Sequence, residues 1–254
     1  MAMDAILRYT PDRRIVAVNS FFFKPGNAGP CIVEVKELKS SERNFCVAQV
    51  VLKQHQQPQQ QLLSSIDDYN PSLYTAKLHT IITTASSSYD SASFHIMNND
   101  PASPVFDNNM QPSPIMELFL RASDVITIYE NHERSYEGEV WHALEWPHTS
   151  DGQQLIDIKS LACFADLLNI TKPYAQHNEL VRLPRMTLQM EIKFRPLPVN
   201  PIQRVLAKVI MSDLIDGFIN GDVWLFDQNG YLLANVRHQM AVETAQPAKK
   251  KANL

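Results

Sequence analysis

Length, composition and charge limit the classes of protein to which this chain can belong. It has 254 residues, 44% of them hydrophobic and 20% charged, which is enough to bury a large core without a metal or disulfide staple. The 23 Lys and Arg residues against 27 Asp and Glu give a net charge of −4, which argues against a nucleic-acid partner. Three widely spaced cysteines and the lack of a ~20-residue apolar stretch favour a cytoplasmic protein without a membrane span.

The first half of the sequence predicts a short helix followed by strands. The first ten residues are compatible with a helix that ends before Pro11. A turn over residues 25–30 contains two prolines and two glycines, and the glutamine-rich segment 54–61 is typical of a loop. Around these breaks, β-branched and aromatic residues predict strands at residues 15–23, 31–38 and 44–53, and either one strand or two short ones within 73–84.

A polar segment separates this half from a second one with a similar order of elements. We expect residues 1–95 and 115–245 to form the two halves, residues 96–114 the linker, and residues 246–254 a disordered basic tail. Segment 115–128 has apolar residues at helical and at strand spacing, so both alternatives stay open. Residues 155–168 carry the apolar stripe of a buried helix. Strands are predicted at 139–146, 186–194, 205–212, 222–226 and 232–242.

Several segments of the two halves resemble one known family in matching order. In the first half they are FFFKPGNAGPCIVEVKEL and VAQVVLKQ, and in the second half LACFADLL, TLQMEIKF and GFINGDVWLFDQNGYLLANVRHQMAV. These segments resemble acyl-CoA thioesterase II-like proteins. The resemblance implies an α+β double hotdog fold, with two antiparallel sheets each wrapped around a helix and an apolar tunnel for an acyl chain. Because only fourteen residues precede segment 15–23, we expect the first hotdog to be incomplete.

Three positions that hydrolytic members of this family use differ in this chain. The resemblance implies an Asp, a Thr and a Gln that hold and activate the attacking water. Without gaps, these positions fall on Gln189, Ile210 and His238, with Gln239 one step further. A neutral amide does not accept a proton near pH 7, and Ile210 offers no hydrogen bond. These replacements argue against inherited hydrolysis.

Four residues are the candidate catalytic groups. His238 shares its strand parity with apolar residues, so it is either an acid–base group or donor on the apolar face, or a core histidine. Gln189 either belongs to a polar surface face or hydrogen-bonds a substrate carbonyl, with Glu191 on the same face as a weaker acid–base candidate. Asp166 ends the predicted helix, where the helix dipole disfavours a carboxylate, so we expect it to have a partner.

Four further residues are candidates for substrate binding. Trp141, in an aromatic-rich strand, either lines the apolar pocket or packs in the core. Asp213, three residues after Ile210, either supplies the missing catalytic carboxylate or lies in a surface loop. Gln239 and Ile210 follow from the family resemblance. Seven glycines form no phosphate-binding loop, and no His or Cys pair has the spacing of metal ligands, so we expect no cofactor and no metal.

Three functions remain open. The first is a non-hydrolytic biosynthetic enzyme that binds a hydrophobic polyketide or terpenoid intermediate and promotes cyclisation, pericyclic closure, dehydration or isomerisation. The second is an acyl-CoA thioesterase with rearranged catalytic groups, in which His238 is the base. The third is a non-catalytic ligand-binding hotdog protein. We expect the first, with a hydrophobic small molecule or acyl thioester as substrate, and the resemblance implies a homo-oligomer.

Overall fold

The described part of the chain is dominated by one antiparallel sheet. The computed structural model describes residues 1–41, 44–57, 63–86, 101–113, 126–131, 139–146, 148–149, 152–153, 155–166 and 185–242. Within these ranges eleven strands form the main sheet, in the order β2-β3-β4-β1-β10-β13-β12-β11-β7-β6-β5. Strands β8 and β9 form a separate two-stranded hairpin.

The elements follow the apolar pattern of the sequence closely. The strands are β1 (Arg13–Phe22), β2 (Ile32–Lys39), β3 (Phe45–His55), β4 (Tyr74–Ser86), β5 (Met110–Pro112), β6 (Thr127–Asn131), β7 (Glu139–Glu145), β8 (His148–Thr149), β9 (Gly152–Gln153), β10 (Arg185–Phe194), β11 (Val205–Ile215), β12 (Phe218–Asp227) and β13 (Leu232–Val242). The helices are α1 (Ala2–Tyr9) and α2 (Ile158–Ala165), with short 3₁₀ turns at Ile66–Asp68 and Pro71–Leu73.

Each half of the sheet has its own helix on the inner face, as expected for a double hotdog. Helix α1 packs on β1 to β4 with Met3 and Ile6 buried. Helix α2 packs on β10 and β12 and buries Leu161, Phe164 and Ala165. The main hydrophobic core therefore lies between the two helices and the inner face of the sheet.

The two halves join edge to edge through β1 and β10. These strands pair in antiparallel register, with Ser20 opposite Met190 and Phe21 opposite Gln189. The sheets of the two hotdogs are thus one continuous sheet rather than two separate ones. The pairing places residues of the first half next to residues of the second half on both faces of the sheet.

A second, smaller core covers part of the outer face. It contains Met110, Ala143, Leu206, Phe226 and Leu232. Met110 belongs to β5, which lies inside the predicted linker 96–114 and pairs with β6. The end of this polar segment is therefore part of the sheet, while the domain boundaries themselves stay a prediction.

Several predictions fall partly or wholly outside the described residues. The predicted helix 155–168 is observed over Ile158–Ala165, and residues 167 and 168 are not described. Of the ambiguous segment 115–128, only residues 126–128 are described, and they lead into β6. The predicted tail 246–254 also lies outside the described ranges. No described helix is long and apolar enough to cross a membrane.

Candidate functional site

His238 lies on β13 with its side chain on the inner face of the sheet. It is 1% exposed and sits directly opposite Met190 of β10. Its Nε2 lies 3.0 Å from Oδ1 of Asp166, which follows the last turn of α2. The helix C-terminus and the central strand therefore bring these two candidate residues into direct contact.

The Asp166 carboxylate has a second partner on the sheet. The hydroxyl of Thr187 donates a hydrogen bond to the same Oδ1 at 3.1 Å. The alternation of residues in β10 predicts Thr187 on the face of Gln189, which is wrong because the register shifts by a β-bulge between these two residues. The bulge turns Thr187 toward Asp166, and no pattern in the sequence indicates it.

The hydrogen bond to Asp166 determines what His238 can do chemically. A carboxylate accepts hydrogen bonds, so the Nε2 of His238 carries the proton and donates it. In the neutral ring, Nδ1 then has a free lone pair. Nδ1 is buried and has no hydrogen-bond partner among the described residues. An imidazole held in one tautomer with a free Nδ1 is suited to accept a proton, while the carboxylate stabilises the resulting cation.

A cavity of about 360 Å³ opens beside this pair. Asp166 and Met190, the two neighbours of His238, are part of its lining, whereas His238 itself is not. Helices α1 and α2 close it on one side and strands β1, β4 and β10 on the other. Its lining is largely apolar, with Val18, Phe22 and Ile192 among the contributors, so its volume and chemistry fit an acyl chain.

Cys163 lines the same cavity but is not an activated nucleophile. Although the residue is exposed, neighbouring groups remove enough water from its sulfur to raise the pKa of the thiol, and the negative charge of Asp166 raises this pKa further. The thiol therefore stays protonated at neutral pH.

Gln189, Glu191 and Gln239 lie on the opposite, outer face of the sheet. They line a polar recess of about 330 Å³. Gln189 donates to Oδ1 of Asn19 at 3.4 Å, and Gln239 donates to Oδ1 of Asn220 at 3.2 Å. His238 is also part of the lining of this recess, but its imidazole is paired with Asp166. The structure therefore brings the imidazole of His238 together with Asp166 rather than with the side chains of Gln189, Glu191 and Gln239.

Trp141 and Ile210, two other predicted substrate-binding residues, do not line the cavity beside Asp166. The buried Trp141 of β7 donates its indole N–H to Glu139. Ile210 of β11 is half-buried and pairs with Asp222, which lines the outer recess. The side chain of Asp213 lies outside the described ones. Their role in substrate binding stays a prediction.

Comparison with known proteins gives the family. A sequence model of the acyl-CoA thioesterase C-terminal domain matches residues 99–242, which is more than half of the chain. The chain belongs to this family. It matches none of the curated proteins with which it was compared.

Solved structures share the fold. A candidate thioesterase from Novosphingobium aromaticivorans aligns with a TM-score of 0.69 and 20% identity, over 96% of this chain and 85% of the other. Acyl-CoA thioesterase II TesB2 from Mycobacterium marinum aligns with a TM-score of 0.67 and 11% identity, over 96% and 87%. The dehydratase domain of RzxB from Pseudomonas fluorescens aligns with a TM-score of 0.53 and 9% identity, over 95% and 82%. At these identities the likeness shows the hotdog fold and no specific reaction.

The donor set of the site fits acid–base chemistry. Among the described residues, no group of three or more His, Cys, Asp or Glu side chains has the arrangement of a metal site. What the site presents is one buried imidazole, one half-exposed carboxylate and one hydroxyl beside an apolar cavity. This combination can move a proton to and from a group of the bound molecule.

Proposed function

We propose that this chain is an acyl-thioester enzyme that dehydrates or isomerises its bound acyl group without releasing the thiol, with His238 as the acid–base residue. The observation that carries this proposal is the buried, unpartnered Nδ1 of an imidazole whose Nε2 is held 3.0 Å from Asp166. One such group suffices for a reaction that takes a proton from one atom of the substrate and returns it to another.

Dehydration illustrates the proton balance. His238 Nδ1 removes a proton from the carbon next to the thioester carbonyl. The electron pair of that C–H bond forms a carbon–carbon double bond as the bond to the β-hydroxyl breaks. The leaving hydroxyl takes the proton back from Nδ1 and departs as water. Asp166 stabilises the imidazolium that exists between the two transfers.

Two further observations support a reaction without hydrolysis. Gln189 and Ile210 replace groups that activate water in hydrolytic relatives, and neither shares the cavity beside Asp166. The largely apolar lining of that cavity suits a hydrophobic substrate, such as a polyketide or terpenoid intermediate. Cyclisation within the same cavity is also compatible with this lining.

Thioester hydrolysis is the second candidate. Family membership favours it, and so does the hydroxyl of Thr187, which lies near His238 through their shared hydrogen-bond partner Asp166. In this reaction His238 Nδ1 takes a proton from water, which attacks the thioester carbonyl, and the thiol leaves.

One product assay distinguishes the two candidates. Purified protein is incubated with 3-hydroxyacyl and saturated acyl thioesters of increasing chain length, and both the mass of the acyl product and the release of free thiol are measured. Loss of water or a shifted double bond without thiol release supports the proposal. Thiol release supports hydrolysis instead, and no turnover of any substrate refutes both candidates.

Variants identify the residue responsible. We expect His238→Gln, which keeps a hydrogen-bond donor for Asp166, to lower the rate by roughly 100-fold or more. His79→Gln is the matched control, because His79 lies on β4, three strands from β13 in the sheet, and packs near Phe21. Equal loss in both variants would contradict the assignment of His238.

A further inference from the structure

Four residues form one row across the inner face of the central strands. Thr80 of β4 lies opposite Ser20 of β1, Ser20 lies opposite Met190 of β10, and Met190 lies opposite His238 of β13. Neighbouring strands are about 4.8 Å apart, so Ser20 is roughly 10 Å from His238, and Thr80 is one strand further. The row therefore leads from the proton-transfer group into the cavity.

Ser20 and Thr80 are the buried hydroxyl groups in this row. They are 5% and 1% exposed, and both line the cavity beside Asp166. Their neighbours in the lining include Val18, Phe22 and Leu78, which offer no polar side-chain atom. Two hydroxyls in an otherwise apolar part of a cavity are costly unless their hydrogen-bonding capacity is used.

Their mutual hydrogen bond uses only part of that capacity. The two oxygens lie 3.1 Å apart, and either hydroxyl can be the donor. Two hydroxyls carry two hydrogens, and the bond between them uses one. Among the described residues neither hydroxyl has another hydrogen-bond partner, so one O–H donor is left for a group in the cavity.

We propose that the Ser20–Thr80 pair binds an oxygen atom on the distal part of the acyl chain. The ligand would then be an acyl thioester with a ketone or hydroxyl group remote from the thioester, rather than a plain fatty acyl thioester. This inference rests on the proposed function for placing the thioester end near His238. Its basis is the spare hydrogen, the burial of both hydroxyls and their position about 10 Å along the row.

The hydroxyl pair favours acyl chains that carry an oxygen over plain acyl chains. A chain oxygen that accepts the spare hydrogen replaces the water that a polar site of this kind otherwise holds. A plain methylene at the same place displaces that water and leaves the hydroxyl without a partner. We expect a preference of roughly tenfold for the oxygenated chain, which corresponds to about 1.4 kcal/mol and is the size of one net hydrogen bond.

Inert analogues test this subsite independently of catalysis. The probes are dodecanoyl pantetheine analogues in which an amide replaces the thioester, one unsubstituted and the others with a single ketone at carbon 5, 7, 9 or 11. Binding is measured by titration calorimetry. We expect one ketone position to bind roughly tenfold more tightly than the unsubstituted chain. Equal binding of all probes would overturn the inference, and so would no binding of any probe.

The decisive variant removes both hydroxyls. In a single variant the remaining hydroxyl keeps a free hydrogen, so Ser20→Ala combined with Thr80→Val is required. The double variant should bind all probes within about twofold of one another. Thr84→Val is the matched control, because Thr84 is a fully buried threonine on the same strand and face but outside the cavity lining. Thermal unfolding of each variant verifies that it is folded.

The outcomes separate this inference from the proposed function. A ketone preference that disappears in the double variant, together with no turnover of any thioester, would support the subsite and refute the proposed function. Turnover of thioesters without any ketone preference would overturn the subsite alone. A preference that survives in the double variant would also overturn it.

Discussion

Replacing Asp166 by Asn tests whether its charge supports His238. The substitution keeps the shape of the side chain and removes the negative charge that lies 3.0 Å from Nε2. Two opposite charges at about 4 Å attract by about 1 kcal/mol in water and about 4 kcal/mol in a partly buried setting. The His238 side chain is 0% exposed and that of Asp166 is 45% exposed, so an intermediate value of about 2 kcal/mol applies.

This energy converts into a rate. A loss of about 2 kcal/mol of transition-state stabilisation lowers kcat/KM by roughly 30-fold. Initial rates on the best substrate of the thioester panel measure the effect. Asp157→Asn is the control, because Asp157 caps the other end of α2 and Asn is an equally good cap. A change of less than twofold in Asp166→Asn would refute the supporting role, and a loss of more than roughly 1000-fold would mean that Asp166 itself transfers the proton.

Two further predictions concern stability. Ser160 exchanges hydrogen bonds with Asp157 at the start of α2 and also accepts one from the indole of Trp146. We therefore expect Ser160→Ala to lower the free energy of unfolding by about 2 kcal/mol, and Asp157→Ala by about 1 kcal/mol. Equal losses in urea unfolding would contradict this. Hydrogen bonds from Lys53 and Tyr69 hold the pKa of Glu34 below its ordinary value of 4.5. The stabilisation of the fold by the ionised Glu34 is therefore present at neutral pH and is lost as the pH falls below 4.5. Since the Glu34 side chain is 37% exposed, we expect Glu34→Gln to lower the free energy of unfolding by no more than about 1 kcal/mol at neutral pH, and by less in acid. A loss of stability that grows in acid would contradict this direction.

The sequence predicted the strands well because their apolar alternation is strong. Strand β13 is observed at the predicted residues 232–242, and the Asn229-Gly230 turn that precedes it has Gly230 at φ +85°, which favours glycine. The parity of β13 also predicted that His238 points to the apolar face, where it is buried. Local patterns suffice for such features because they depend on near neighbours in the chain.

The site was less predictable because it depends on contacts between distant segments. Asp166 was expected to have a partner, but which partner depends on how α2 meets β13, 72 residues further along the chain. The bulge that turns Thr187 inward leaves no trace in the alternation. The pairing of β1 with β10, which forms the Ser20–Met190 contact, likewise follows from tertiary packing rather than from local propensity.

The edge-to-edge junction of β1 and β10 divides the cavity between the two halves of the chain. The proton-transfer group and its helix come from the second half, whereas much of the wall along which a ligand would lie comes from α1, β1 and β4 of the first. Substitutions in the first half can therefore change which molecule is accepted while the geometry of His238 and Asp166 is kept. Such a separation lets a family acquire new substrates by varying one half of the chain and retaining the chemistry of the other.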